Sequence, residues 1–151
     1  MNRFPPAVQQ PLLQAGWRPG REVSSLVDQW ATLLRDRDGL VMSSEARDCL
    51  REFGGLLVKP PTTHGISSAP VSVLIDASLG VGEKDRWALF EPILRTPIFP
   101  LGEVDNGHYY LCIDGKARIY LVMDDVLGVA RKFDIALVHL LLGVACFPML
   151  P

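Results

Sequence analysis

Hydrophobic and polar positions along the chain predict helices first, short strands next and a final helix. The clearest helix covers 24–38, where Leu26, Trp30 and Leu33 share one face while Asp28 and Asp36 take the other. A glycine follows this helix and stops it. The helices are predicted at Ala7–Ala15, at Ser24–Asp38, in the segment SEARDCLREF after the capping residue Ser43, at Glu83–Arg95 and at Asp134–Leu142.

Short segments rich in β-branched and aromatic residues predict strands in the remaining chain. They are LLV (56–58), VSVLI (71–75), TPIFPLG (96–102), and HYYLCID with ARIYLVMD, joined by a tight Asp114-Gly115 turn. The tail FPMLP is predicted to be irregular. Because helices and strands are segregated along the chain, the pattern favours an α+β fold with a mostly antiparallel central sheet flanked by helices.

Length and charge narrow the class of protein. A chain of 151 residues that is 48% apolar predicts one domain, 1–151, with a core at about 12–143 and a peripheral N-terminal segment and C-terminal tail. The net charge of −2 argues against nucleic-acid binding. The longest apolar run, Ile135–Phe147, is shorter than the roughly 18 residues needed to cross a bilayer. We therefore expect a cytoplasmic protein with no membrane partner.

Residues that usually carry chemistry do not form a recognisable site. The chain has no dinucleotide-binding, P-loop, serine-hydrolase or zinc-protease motif. Its histidines, His64, His108 and His139, are scattered, and its three cysteines are widely spaced. We predict no metal, no cofactor, no disulfide framework and no catalytic residue. A small hydrolase that uses carboxylates or His108 remains an alternative.

Carboxylates are concentrated in the second half of the chain. Residues 1–75 carry 8 basic and 7 acidic groups, a net charge of +1. Residues 76–151 carry 7 basic and 10 acidic groups, a net charge of −3. Asp124 and Asp125 could act as acid and base only if one of them were buried. Two interpretations stay open: solvated turn residues, or a negative patch that steers a basic partner.

Two neighbouring tyrosines add a candidate anchor to this region. Tyr109 and Tyr110 are consecutive on one predicted strand, so their side chains face opposite sides of the sheet. Whichever side chain points outward is a candidate contact for a partner, because tyrosine is enriched at binding hot spots.

Four strings in the chain resemble the SUKH superfamily, and its third subgroup in particular. They are QAGWRPGR, CLREFGGLLV, PIFPLGEVDNGHYYLCIDGKARIYLVMDD and FDIALVHLLLG, and they run in the family's order from about Leu12 to Gly143. The resemblance implies a single α+β domain with no catalytic residues. The family's recurrent positions imply a scaffold role for Gly16, Trp17, Gly54, Gly55, Gly102 and Asp114.

The resemblance also implies a function in bacterial immunity. Such a protein binds and neutralises a cognate toxin domain of a polymorphic toxin system, often a nuclease or a deaminase, encoded by an adjacent gene. We expect the toxin-facing surface to include Glu103, Asp105, Tyr109, Tyr110, Asp124 and Asp125. The alternative is an adaptor or regulatory module that binds a protein other than a toxin.

Overall fold

Five α-helices form where the apolar spacing predicts them, in a computed structural model that describes residues 3–61 and 70–150. Helix α3 begins at the predicted cap, where the Ser43 hydroxyl accepts a hydrogen bond from the amide of Ala46. The helices are α1 (Pro6–Ala15), α2 (Ser24–Asp38), α3 (Ser44–Phe53), α4 (Lys84–Leu94) and α5 (Phe133–Leu142). None of these helices is long and apolar enough to cross a membrane.

Seven strands form a single sheet in the described part of the chain, and their order in space is their order in sequence. They are β1 (Leu57–Val58), β2 (Val73–Ile75), β3 (Ile98–Val104), β4 (Tyr109–Asp114), β5 (Ile119–Val122), β6 (Val126–Ala130) and β7 (Phe147–Pro148). Every neighbouring pair is antiparallel. The predicted α+β fold with an antiparallel central sheet flanked by helices is thus confirmed.

Two strands were not expected, β6 and β7. The segment of β6 contains Gly128, and the ring of Phe147 lies directly over this glycine, where a Cβ atom would come within 2.1 Å of the ring. Glycine weakens the pattern of a strand in sequence, yet here it leaves room for a side chain from the neighbouring strand. The prediction that the tail is irregular is therefore corrected at β7.

Both faces of the sheet are covered by helices. A larger core joins α1, α2, α3 and α5 to one face, and a smaller core places α4 on the other face through Trp87 and Phe90. Strand β5 alternates between them, since Leu121 belongs to the larger core and Tyr120 to the smaller one. Burial of alternate residues on both sides explains why this strand reads as a continuous apolar run.

The N-terminal segment belongs to the larger core. Phe4 is 1% exposed and lies edge-on to the ring of Trp17, with its centroid 5.6 Å away. Arg3 closes this corner, because its guanidinium donates to Asp134 on α5 and to Glu52 on α3, both at 2.6 Å. These contacts correct the expectation that the segment before residue 12 is peripheral, since an aromatic ring there fills space beneath two helices.

Two of the positions expected to act as scaffold show why their residue types are needed. At Gly102, in a β-bulge of β3, a Cβ atom would lie 1.9 Å from the backbone oxygen of Leu74 on β2. Strands β2 and β3 could not approach this closely with any side chain at that position.

The second scaffold position, Asp114, organises the turn between β4 and β5. Its carboxylate is 1% exposed and accepts hydrogen bonds from the amides of Lys116 and Arg118, the Arg118 Nε and the Tyr120 hydroxyl, at 2.7 to 3.0 Å. The predicted hairpin forms, but its turn spans residues 115–118 instead of closing tightly at Asp114-Gly115. In this wider turn the amides of Lys116 and Arg118 cannot all bond to the opposite strand. The Asp114 carboxylate accepts from them instead.

Candidate functional site

The acidic residues predicted to face a partner meet at one end of the sheet. In the strand register Val104 pairs with Tyr109, and Tyr110 pairs with Val122, so the turns after β3 and β5 lie side by side. These turns carry Asp105 and the pair Asp124-Asp125, respectively. We call this region the acidic end and define it by Glu83, Glu103, Asp105, Asp124 and Asp125.

The turn carboxylates of the acidic end are open to solvent. The side chain of Asp124 is 99% exposed, and Asp105 and Asp125 are exposed as well. An acid–base pair needs a carboxyl that is sheltered from water, and these carboxyls are not. They are instead free to approach charges on another molecule.

On the α4 side of the sheet, a polar network holds Tyr110 in place. Its hydroxyl donates to Glu83 at 2.9 Å, and the ring stands edge-on to Trp87. Glu83 also accepts from Arg86, whose guanidinium lies over the ring of Tyr110 at 5.8 Å from the centroid. Tyr110 is therefore half-buried and already has a hydrogen-bond partner.

Arg86 connects this network to the β5–β6 turn. It donates to the backbone oxygen of Met123 at 2.7 Å and lies 3.8 Å from the Asp124 carboxylate. Neither Glu83 nor Arg86 was among the residues predicted to face a partner. Their spacing of three residues at the start of a predicted helix is the one signal that could have indicated a pair.

Tyr109 lies on the opposite face, as predicted. It packs at the margin of the larger core and lines a shallow groove that also reaches Asp105 and Cys146. Partial burial, together with the nearby Asp125 and Asp124 carboxylates, raises the pKa of its hydroxyl. Tyr109 is half-buried like its neighbour, so neither tyrosine points fully outward.

The six predicted residues are thus brought to one end of the sheet but divided between its two sides. Glu103 pairs with Tyr110 on the α4 side, and its carboxylate reaches the β3–β4 turn near Gly107. Tyr109 lies across the sheet, and the turn residues Asp105, Asp124 and Asp125 form the rim between the two sides. A partner that covers this rim would contact both faces.

His108 does not complete a catalytic cleft. Its side chain is 70% exposed, and its ring contacts Asp105 in the same turn. His139 lies far along α5, where its ring contacts the backbone oxygen of Val129, and His64 falls outside the described residues. Across residues 3–61 and 70–150, no three His, Cys, Asp or Glu side chains are grouped to hold a metal ion.

Tyrosine ionisation predicts a loss of stability in alkali. Burial, and then hydrogen bonding to the carboxylates of Glu83 and Asp114, raises the pKa of Tyr110 and of Tyr120 to about 12. An unfolded tyrosine ionises near pH 10. The protonated hydroxyls therefore stabilise the fold fully below about pH 10, and this contribution is lost as the pH rises through about 12.

The measurement is the free energy of unfolding in urea between pH 8 and 12, with tyrosinate absorbance followed in parallel. Tyr110→Phe should flatten part of the decline, because phenylalanine keeps the ring contact with Trp87 and cannot ionise. Ionisation of all three tyrosines together near pH 10 in the folded protein would contradict the prediction.

Comparison with known proteins decides the family. The model of the SUKH-3 immunity protein family matches residues 4–143, which is nearly the whole chain. The chain belongs to the SUKH-3 immunity protein family. The match begins at Phe4, the first residue of the larger core, and ends at Gly143, the left-handed cap of α5. No curated protein and no solved structure matches the chain.

SUKH-3 membership supports an immunity function and implies a cognate toxin as binding partner. Immunity proteins of this family are generally not enzymes.

Proposed function

We propose that this SUKH-3 protein neutralises a toxin domain of a polymorphic toxin system by covering its active-site cleft with the acidic end. The toxin is proposed to act on nucleic acid, as a nuclease or a deaminase, in the cytoplasm. The observation that carries the proposal is the convergence of two carboxylate-bearing turns at one end of the sheet.

The chemistry of a nucleic-acid enzyme explains why carboxylates suit this role. A cleft that binds phosphates presents Lys and Arg side chains. Asp105, Asp124 and Asp125 would place negative charge where the substrate's phosphates lie, so that the inhibitor competes with the substrate. Opposite charges would also accelerate association, which matters for a protein that must reach a toxin before the toxin reaches its substrate.

The turns that carry these charges are held in position by the fold. Arg86 on α4 binds the backbone at Met123, one residue before Asp124. Asp105 follows directly on β3, and its amide donates to the backbone oxygen of Ser72 at 3.0 Å. A surface that is already ordered loses little conformational entropy on binding, which favours tight association.

Half-buried tyrosines extend this surface beyond its charges. Tyr109 and Tyr110 flank the rim from opposite faces and keep part of each ring accessible. Tyrosine is enriched at the centre of tight interfaces, where its ring supplies apolar contact area inside a charged rim. We infer that the protein inhibits by occupancy and transforms no substrate.

Co-expression with the protein encoded by the adjacent gene tests the proposal. Growth should stop when the neighbour is expressed alone and should resume when this protein is present, and the two should then co-purify. A neighbour that does not harm growth and yet co-purifies would indicate an adaptor instead. Growth arrest that persists while the folded protein is abundant would count against immunity to that neighbour.

A further inference from the structure

A second surface lies along the β6–β7 edge of the sheet and extends to the strand ends opposite the acidic end. It is a groove of about 570 Å³ between β6, β7 and α5. We call it the edge groove and define it by six of its lining residues, Arg118, Ala130, Arg131, Ile135, Phe147 and Met149. Arg118 precedes β5 and Arg131 follows β6, which places both at the strand ends remote from Asp124 and Asp125.

The floor of the edge groove is apolar and open to solvent. Phe147 is 53% exposed and Ile135 on α5 is 44% exposed. Two contacts fix Phe147 in this position. Its ring covers Gly128. Two residues further on, the Met149 amide donates to the backbone oxygen of Val126 at 3.0 Å. The exposed ring is thus part of a built surface, held by the sheet itself.

The neighbouring edge of the sheet is only partly covered. Strand β7 pairs with Leu127 and Gly128 of β6 and goes no further. Within residues 3–61 and 70–150, no strand lies beside Val129 and Ala130 on that side. The backbone oxygen of Val129 is already contacted by the His139 ring at 3.2 Å. An extended segment of another protein could therefore continue the line of β7 by pairing with Ala130 of β6 as it enters the edge groove.

The charge of the edge groove selects the kind of segment. Arg118 and Arg131 stand on its rim, Lys132 follows, and no described Asp or Glu lines it. The charge of Arg118 is offset by the Asp114 carboxylate 2.7 Å away, whereas Arg131 and Lys132 have no acidic partner within the described residues. The rim therefore presents net positive charge to solvent, and complementarity requires a negative occupant.

We propose that the edge groove binds an extended acidic segment of a partner protein. An apolar side chain of the segment packs on Phe147 and Ile135, its backbone follows β6, and its carboxylates face Arg118 and Arg131. This surface is separate from the acidic end, so the protein can hold an acidic segment while its other end contacts a basic cleft. The proposal does not depend on the identity of the toxin.

A displayed library of random peptides, panned on the purified protein alone, tests the proposal. Enriched peptides should combine Asp or Glu with a central aliphatic or aromatic residue. Their affinity should fall at least fivefold on Arg131→Glu, which changes an exposed side chain. The matched control is Arg35→Glu on α2, an exposed arginine that lies outside the edge groove, and it should leave the affinity unchanged.

A second variant, Phe147→Ser, separates the apolar contact from the charge and should also weaken the same peptides. The proposal is overturned if no peptide is enriched, if the enriched peptides are basic, or if Arg131→Glu and Arg35→Glu have equal effects. Because no toxin is present in this assay, its failure leaves the proposal for the acidic end untouched, and the co-expression experiment likewise does not test the edge groove.

Discussion

Replacing Asp124 and Asp125 together by lysine should weaken the affinity for the cognate toxin at least tenfold, which corresponds to about 1.4 kcal/mol. The change removes two exposed negative charges and introduces two positive ones that would repel the basic cleft proposed for the toxin. It also places a lysine next to Arg86, which now lies 3.8 Å from the Asp124 carboxylate. Calorimetric titration of the purified pair gives the affinity directly.

The matched control for this variant is Asp28→Lys with Asp36→Lys on α2. Both side chains are exposed, and the control has the same net charge as the test variant. A general effect of net charge would lower the affinity equally in both variants. An unchanged affinity in the test variant, with the fold intact by circular dichroism, would remove Asp124 and Asp125 from the interface.

Asp114→Ala should lower the free energy of unfolding by about 3 kcal/mol, because buried hydrogen bonds to a charged group are among the costliest to lose. The substitution removes the acceptor of four hydrogen bonds and leaves the Tyr120 hydroxyl buried without its partner. The Arg118–Asp114 ion pair contributes little to this loss of stability, since the Arg118 side chain is partly exposed. Urea denaturation followed by tryptophan fluorescence measures the change.

Two further variants separate the causes of this loss. Asp114→Asn keeps one oxygen to accept from the turn amides and should restore part of the stability. Asp36→Ala removes an exposed carboxylate whose one ion-pair partner among the described residues is its neighbour Arg35, and should change the stability by less than about 0.5 kcal/mol. Equal effects of Asp114→Ala and Asp36→Ala would show that the turn does not depend on the buried carboxylate.

Much of the fold could be predicted because local sequence and final environment agree. The start of α3 is set by Ser43, and the end of α2 by Gly39, whose positive φ suits a helix cap. Strand β6 could not be predicted in the same way. The reason for a glycine at 128 is the packing of the Phe147 ring over it, and Phe147 is not close to Gly128 in sequence. Similarly, nothing near Phe4 in sequence indicates that it will meet Trp17.

The candidate site shows the same division. The carboxylates could be predicted to cluster, because hairpin turns on one side of an antiparallel sheet share an end. The role of Arg86 could not, since it depends on how α4 crosses the sheet and reaches Met123. The edge groove could not be predicted either, because it forms only where β7, α5 and the end of β6 pack together in the folded chain.

The agreement between strand order and chain order has a consequence for how the molecule assembles. Each pairing from β3 to β6 joins consecutive strands across a short connection, so these four can form as a meander at little entropic cost of loop closure. Helices α1, α2 and α3 precede this meander in the chain but bury their apolar faces against it. In a chain emerging from the ribosome, the first three helices can therefore bury their apolar faces fully only after the meander has been synthesised.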